Sequence, residues 1–577
     1  MCGILGGISQ DYFDKNICKL ALDKIYHRGP DFQKINFYNQ NRLFLAHSRL
    51  KIIDLSDSAN QPMLSNCLNY EIIFNGEIFN FGELKVKCKE YDFKTNSDTE
   101  ILLALFIKYG KGMLNMLNGM FAFAIFDKIN NEIFIARDRF GIKQLYYTID
   151  KNKFIFASEI PPILKFLKDV KEDKRTIKTY LTTALYDFGE HTFFEDIKRL
   201  EAGCYLEFNL NSFNYEINRW YFIEKNINLI ENSLEKNSIF NKLEELLLDL
   251  IDKHLISDVN IGLNISGGLD SSILLSLVKK YKLNLHTFTQ EYKGFSEKIW
   301  VEKAVQRVGF KQHFVDLNFD DIFDKLNEVV KVQAEPFGGI AVVGYYYLYK
   351  LAQEYNVTVL LDGNGIDEIF LGYEKYRLIQ QNSILSEGVS IDGTKSAKLE
   401  VISSDLNNIE AYKIPKVNFF NDSVENVAMG DLLYTKVPRA LRFNDRMSMM
   451  LSKELRVPFL DYRLVEFAYS LPINLLIDND NTKAILRKFA TKYIPKDVAY
   501  AKKRSIQTPQ NEWIASKFEP LIEEILNSQS FKNRGWININ KAKELFYDYK
   551  KSNKANSFFI WQWINLELWA REYLDKK

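Results

Sequence analysis

The feature that most limits how this chain can fold is a change of rhythm near residue 239. Before it, short β-rich runs at 43–47, 70–74, 120–126, 132–137, 145–148 and 154–158 are separated by turn chemistry such as 127–131 and 150–152. Such close spacing favours antiparallel hairpins, interrupted by one helical pattern over 99–109. After it, a leucine-rich helix leads into strands at 259–265, 285–289, 313–317 and 357–361, alternating with helices at 271–280, 297–308 and 342–354. That alternation predicts a parallel sheet covered by helices. The expected architecture is an α+β domain over 1–210, its antiparallel sheets layered with helices, a polar connector over 211–238, and an α/β domain over 239–577. Two domains also suit a length of 577 residues, because single cores stop growing near about 250–300. The stretch 381–398, with Ser, Gly and Glu scattered through it, is expected as a mobile insertion in the second domain.

The strand at 259–265 runs into Ile265-Ser266-Gly267-Gly268-Leu269-Asp270-Ser271-Ser272, and a helix follows at once. Glycines let the backbone turn tightly and approach a ligand. Serines add hydroxyl donors, and the helix start offers free N–H groups at the positive end of its dipole. Such a junction is an anion cradle, and Asp270 beside it can hold Mg²⁺ against phosphates. It is not a Walker A loop, since no Gly-x-x-x-x-Gly-Lys-Ser/Thr occurs. A second loop, Asp362-Gly363-Asn364-Gly365-Ile366-Asp367-Glu368, leaves the strand at 357–361. Both loops leave carboxyl ends of parallel strands, where open α/β sheets bind ligands, so Asp367 is expected to approach a metal held by Asp270.

The other reactive position is at the front, in Met1-Cys2-Gly3. A small second residue permits removal of the methionine, which leaves Cys2 with a free α-amine beside its thiol. An amine with an ordinary pKa of about 7.7–8.0 can accept the thiol proton near neutral pH, so one residue serves as nucleophile and base. Downstream lie His27-Arg28-Gly29-Pro30-Asp31, His47-Ser48-Arg49-Leu50, Asn75-Gly76-Glu77 and Ser97-Asp98.

In this order these motifs resemble the class II glutamine amidotransferase domain. The Ser266–Ser272 loop resembles the pyrophosphate loop of ATP pyrophosphatases. The second half is similar to the synthetase domain of glutamine-dependent asparagine synthetases through 442–449 (RFNDRMSM), 456–461 (RVPFLD), Lys483 with Ile485-Leu486-Arg487, and 561–569. For the front half the resemblance implies an N-terminal-nucleophile hydrolase fold. Cys2 would attack the side-chain amide of glutamine, with Asn75 and the Gly76 N–H stabilising the oxyanion. Arg49 would pair with the substrate α-carboxylate and Asp98 with its α-ammonium, Glu77 lying beside them, while His27 and His47 are scaffold. For the back half it implies ATP binding by Ile265, Ser266, Gly267, Gly268, Leu269, Asp270, Ser271, Ser272, Asp362 and Gly363. Mg²⁺ would sit on Asp270 and Asp367, and Lys483 would offset charge on the phosphoryl groups. An internal passage for ammonia is implied as well, with 119–126 and 137–141 expected to line or brace it.

The reaction implied is ATP, L-aspartate, L-glutamine and water to AMP, diphosphate, L-asparagine and L-glutamate through β-aspartyl-AMP. Three positions depart from the family pattern: Asp362 where Ser is usual, Asn364 where an acid is usual, and Gln144 where Pro is usual. An acid at 364 could take a proton from attacking ammonia, whereas an amide only orients it. The departures leave adenylation intact and the acceptor carboxylate open, so amidation of another acid, such as a sugar acid of a surface polysaccharide, is the alternative. A non-catalytic glutamine- or ATP-binding regulator is a third reading, against which the presence of Cys2, Asp270, Asp367 and Lys483 speaks. With 76 basic and 75 acidic side chains, no global field gathers nucleic acid or an anionic membrane. No wholly apolar stretch approaches the roughly 18–20 residues of a membrane span. Asp11 and Asp14 precede any long apolar run, so no secretory signal is expected and the expected compartment is the cytoplasm. Five cysteines, odd in number, suggest no disulfide framework. A homodimer remains possible.

Overall fold

The computed structural model describes residues 2–229, 236–281, 285–381, 397–478, 481–501, 508–552 and 556–576. Most of the expected insertion, 382–396, lies outside the described residues.

The front half is built on two six-stranded antiparallel sheets. In spatial order the first contains Lys198–Arg199, Tyr146–Ile149, Lys153–Ala157, Gly3–Ser9, Leu43–Arg49 and Phe32–Tyr38. The second contains Asn214–Arg219, Cys204–Asn209, Glu132–Arg137, Gly119–Asp127, Tyr70–Ile78 and Met63–Leu64. Ile4, Ile8, Leu43 and Leu45 of the first sheet pack against Ile73, Ala122, Ile135 and Leu206 of the second. The helix Asp98–Tyr109 covers the far face of the second sheet, placing Leu102 and Leu105 with Phe121 and Phe123. The helix Lys15–Asp23 covers the far face of the first, with Cys18 and Leu22 against Leu5 and Phe44. The layering is helix, sheet, sheet, helix. Strands covered on both faces read as unbroken apolar runs, which explains why 120–126 carries no polar residue.

One expectation needs correction. Residues 214–219 belong to the second sheet as an edge strand, Asn214–Arg219, paired with Cys204–Asn209. Its side chains are exposed or half-buried throughout, so an Asn-Tyr-Glu-Ile-Asn-Arg sequence suits it and reads as connector by composition.

The back half carries one parallel sheet in the order Lys311–Leu317, His286–Tyr292, Ile261–Asn264, Val359–Leu361 and Glu454–Arg456. Every pair within it is parallel, with Leu263 opposite both Thr287 and Leu361. Helices occupy Leu269–Lys279, Lys298–Val308 and Ile340–Glu354, where alternation places them. The last helix, Phe558–Tyr573, is buried from Phe559 to Ala570. Its Trp561 and Trp569 indole N–H groups donate to Phe337 O and Ala334 O at 2.8 and 2.9 Å. No helix among the described residues is long and apolar enough to cross a membrane.

The halves meet over shared core and shared charge. Leu50, Ile52, Phe79, Met120 and Phe140 pack in one cluster with Leu274, Val359, Phe459 and Leu460. Beside it Arg28, fully buried, donates to Glu159 at 2.7 Å and to both oxygens of Asp445 at 2.8 and 3.1 Å. Arg446 completes the group, 2.9 Å from Glu159. Burial pushes the Asp445 carboxyl up, yet Arg28 holds it below its ordinary value. Removing one partner from such a cluster leaves an uncompensated buried charge. Arg28→Ala should therefore lower stability by about 3–5 kcal/mol, read from urea unfolding, and adding Asp445→Asn to it should recover part of the loss. An unchanged urea midpoint for Arg28→Ala would remove the cluster from the account of the seam.

Candidate active sites

Cys2 stands immediately before the strand Gly3–Ser9, whose register sets Gly3 opposite Ser48 and so brings Cys2 alongside Arg49. The neighbouring strand Tyr70–Ile78 delivers Asn75, Gly76 and Glu77, and the start of the helix Asp98–Tyr109 delivers Asp98. Cys2, Arg49, Gly76, Glu77 and Asp98 line one narrow cavity, closed by Leu50 and Gln61. Asn75 lies behind it, fully buried. Its Oδ1 accepts from the Cys2 nitrogen at 3.1 Å, while its Nδ2 has no partner among the described residues. Cys2 Sγ is 3.8 Å from Leu50 O, and burial pushes its thiol up. Gly76 is required where it is: a Cβ there would stand 2.1 Å from Met120 O.

The carboxyls are electrostatically strained. Burial raises Asp98 to about 6, opposed by the Ile78 N–H at 2.9 Å. Glu77 rises well above the ordinary range through burial and then the nearby Glu454 and Asp98. Arg49 does not present an idle fork. Nη1 donates to Ser56 O and Asn60 Oδ1, both at 2.7 Å, and Nη2 donates to Asp54 O. His47 donates to or accepts from nothing near the thiol: its Nε2 meets Phe74 O at 3.0 Å, and burial lowers it to about 3. His27 lies 3.2 Å from Glu159. Arg28, for which spacing suggests no role, donates Nε to Cys2 O at 2.9 Å.

The second cavity, of about 410 Å³, opens at the carboxyl ends of Ile261–Asn264 and Val359–Leu361. It is lined by Ile265, Ser266, Gly267, Gly268, Leu269, Asp270 and Ser271 from the first loop, and Asp362, Gly363 and Asp367 from the second. Ser272 lies just behind, its Oγ donating to Gly268 O at 2.8 Å and pinning the turn. Lys483, in left-handed backbone conformation, places its Nζ 2.5 Å from Asp270 and 2.7 Å from Asp367. A non-glycine residue held there is strained, and such strain concentrates at functional sites. Gly372 leaves the space for this clamp: a Cβ on it would stand 2.1 Å from both Asp367 Oδ1 and Lys483 Cε.

Both departures in the second loop face the cavity. Asp362 accepts from Asn264 Nδ2 at 3.2 Å and from the Asn364 N–H at 3.1 Å, and burial raises its carboxyl. Gln144 closes a turn instead, accepting from Arg137 Nη2 at 3.0 Å and donating to Gly141 O at 3.3 Å. The fit to Mg²⁺ can be judged from donors alone. Two carboxylates, Asp270 from one loop and Asp367 from the other, converge on one cation, the Lys483 ammonium. That suits a hard ion taking one or two carboxylates, with phosphate oxygens for the rest.

A third, smaller cavity lies between these two. Gly119, Met120, Arg139 and Phe140 line it from the front half, and Val457 and Leu460 from the back. Met120 abuts Gly76, and Leu460 Cδ2 would stand 2.4 Å from a Cβ on Gly365 of the nucleotide loop. The walls of the three cavities are therefore contiguous.

Residues 1–221 match the glutamine amidotransferase domain family and residues 242–571 the asparagine synthase family. Asparagine synthetase [glutamine-hydrolyzing] 1 of Bacillus subtilis is 28% identical over 100% of this chain and 98% of its own length. A putative asparagine synthetase 2 of Methanocaldococcus jannaschii is 31% identical over 76% of this chain and 90% of its own. An enzyme named amidase chry2 from Gibberella zeae is 24% identical over 90% and 88%. With its second half matched end to end, the chain belongs to the asparagine synthase family and carries that family's glutamine amidotransferase domain in front.

Proposed function

We propose that this chain is a glutamine-dependent asparagine synthetase. The observation that carries the reading is the pairing of two sites in one chain, a buried thiol beside Arg49 and Asp98 in one cavity and the Asp270–Lys483–Asp367 clamp in the other. With Met1 removed, the Cys2 nitrogen held by Asn75 is a free amine. A thiol whose pKa is raised by burial stays protonated until that amine takes the proton. The sulfur then attacks the glutamine amide carbon, and Asn75 Nδ2 and the Gly76 N–H offset charge on the oxygen. Ammonia leaves, and water hydrolyses the thioester to glutamate. Arg49 and Asp98 receive the two ends of the amino acid, Arg49 by exchanging loop carbonyls for the α-carboxylate.

In the larger cavity the aspartate β-carboxylate attacks the α-phosphorus, the bond to the β-phosphate breaks, and pyrophosphate leaves. Ser266 to Ser272 receive the pyrophosphate, and Lys483 offsets charge that develops on it. Asp270 and Asp367 would hold Mg²⁺, which supplies neutralisation of phosphate charge. Ammonia displaces AMP from the acyl carbon and yields the amide. Ammonia released into water would mostly become ammonium, which is no nucleophile, so its route runs inside the protein, through the seam that Met120 and Leu460 line. Asp362 and Asn364 at the cavity wall favour a second reading, the same chemistry on another carboxylic acid.

Incubation with ATP, Mg²⁺, glutamine and aspartate should yield AMP, pyrophosphate and asparagine by mass spectrometry; ADP and orthophosphate would defeat the assignment. Cys2→Ala should lose glutamine use entirely and keep activity with ammonium salts. Met120→Trp should leave glutamine hydrolysis within about twofold and cut glutamine-driven synthesis at least about tenfold, while ammonium-driven synthesis persists. Because burial raises Asp98 to about 6 and it pairs with an ammonium only when ionised, kcat/KM for glutamine should fall once as the Cys2 amine is protonated and then more steeply below about 6. A profile with no added steepness between about pH 7 and 5, roughly one unit either side of the Asp98 midpoint, would exclude Asp98 from glutamine binding.

A further inference from the structure

Ammonia that adds to an acyl adenylate arrives with three protons and leaves its nitrogen positively charged. Unless a proton is then removed, ammonia is the better leaving group and the adduct falls back. Amide formation therefore needs a base beside the acyl carbon.

Five carboxyl side chains line the 410 Å³ cavity: Asp270, Glu297, Asp362, Asp367 and Glu368. Asp270 and Asp367 are bound to the Lys483 ammonium at 2.5 and 2.7 Å. Glu368 is buried and accepts from Tyr373 OH at 2.8 Å. Glu297 follows the strand His286–Tyr292, which lies on the opposite side of Ile261–Asn264 from Val359–Leu361. Lys436 is turned to the Tyr373 ring, 3.6 Å from its centre. Asp362 remains, and it forms no ion pair among the described residues.

The Asp362 carboxylate is half-buried in the cavity wall and aimed by two donors. Asn264 Nδ2 donates to Oδ2 at 3.2 Å and the Asn364 N–H to Oδ1 at 3.1 Å, while the Asp362 N–H itself donates to Arg456 O at 2.9 Å. A carboxylate oxygen accepts two hydrogen bonds, so each oxygen keeps a lone pair for another donor. Burial raises this carboxyl, which makes it a stronger base than its counterpart in water. Its loop also joins the two ends of the reaction. A Cβ on Gly363 would stand 3.6 Å from Asp270 Cβ, on the phosphate side. One on Gly365 would stand 2.4 Å from Leu460 Cδ2, on the wall shared with the seam cavity.

We propose that Asp362 is the catalytic base of amide formation. The ammonia lone pair forms the C–N bond and a carbonyl electron pair moves to oxygen. An Asp362 oxygen then takes a proton from the new ammonium. The carbonyl re-forms, the C–O bond to AMP breaks, and AMP leaves with that electron pair. Asp362 returns its proton to water once the products have gone. The inference rests on the adenylating reading given above, applies to aspartate or another acceptor acid alike, and gives the departure at 362 a task that the Asn364 amide cannot perform.

The test uses the full chain with ATP, Mg²⁺ and L-aspartate or galacturonate as acceptor, and ammonium chloride to bypass the glutamine site. In Asp362→Asn, amide formation should fall at least about 100-fold, the low end of general-base effects, while acid-dependent exchange of labelled pyrophosphate into ATP stays within about threefold. That exchange reports adenylation alone. Hydroxylamine is a weaker base than ammonia, and its adduct gives up a proton readily to water. Hydroxamate formation in the variant should therefore stay within about tenfold of the unsubstituted chain. Amide formation retained within about threefold overturns the inference, as does a loss of pyrophosphate exchange and hydroxamate formation as large as the loss of amide. Where Asp362→Asn does not fold, Asp362→Ser, carrying the residue usual there in the family, is read in the same way. An unsubstituted chain that exchanges no pyrophosphate with either acid defeats the adenylating reading first, and the task of Asp362 with it.

Discussion

Arg28 reaches in three directions from a position with no solvent. It holds the Cys2 carbonyl at 2.9 Å, Glu159 at 2.7 Å and Asp445 at 2.8 Å. Four full charges, two of each sign, are thereby balanced where the two halves touch. Burying them is costly, and the arrangement is tolerable only while each partner stays in place. The orientation of the sulfur and the register of one half on the other are consequently set by the same guanidinium.

The far end of that contact is the helix Val437–Met450. Arg442 of this helix pairs with Asp187 at 2.8 Å and donates to Pro336 O at 2.6 Å, both deep in the seam. Lys436 and Arg439 at its start face the nucleotide cavity, while Asp445 and Arg446 further along meet the front half. One rigid element of 14 residues thus touches the chemistry of one half and the foundations of the other.

Much of this architecture is legible in the amino-acid order alone. The strands that apolar runs and turn residues predict are present, with ends only a few positions away, but Gly3–Ser9, Phe32–Tyr38, Cys204–Asn209 and Glu454–Arg456 are not among them. The two nucleotide loops can be located because glycine, serine and aspartate at strand ends have few other uses. Less visible are features that depend on contact across long separations. Arg28 and Asp445 are 417 positions apart, and nothing near either one announces the other. Asn214–Arg219 escapes notice because an edge strand wetted on both faces has no apolar period to detect. Arg49 reads as an idle fork because sequence cannot show that the carbonyls of Asp54 and Ser56 curl back to meet it.

Two of the hydrophobic clusters take residues from both halves, Phe44 with Trp561 in one and Met120 with Leu460 in the other. Severing the chain in the linker would bare greasy patches on each fragment rather than free two finished modules. Recombination that swapped in a foreign front half would have to bring its mating surface along. In lineages that inherit this arrangement, the ammonia source and the acid-activating machinery can drift only as a team.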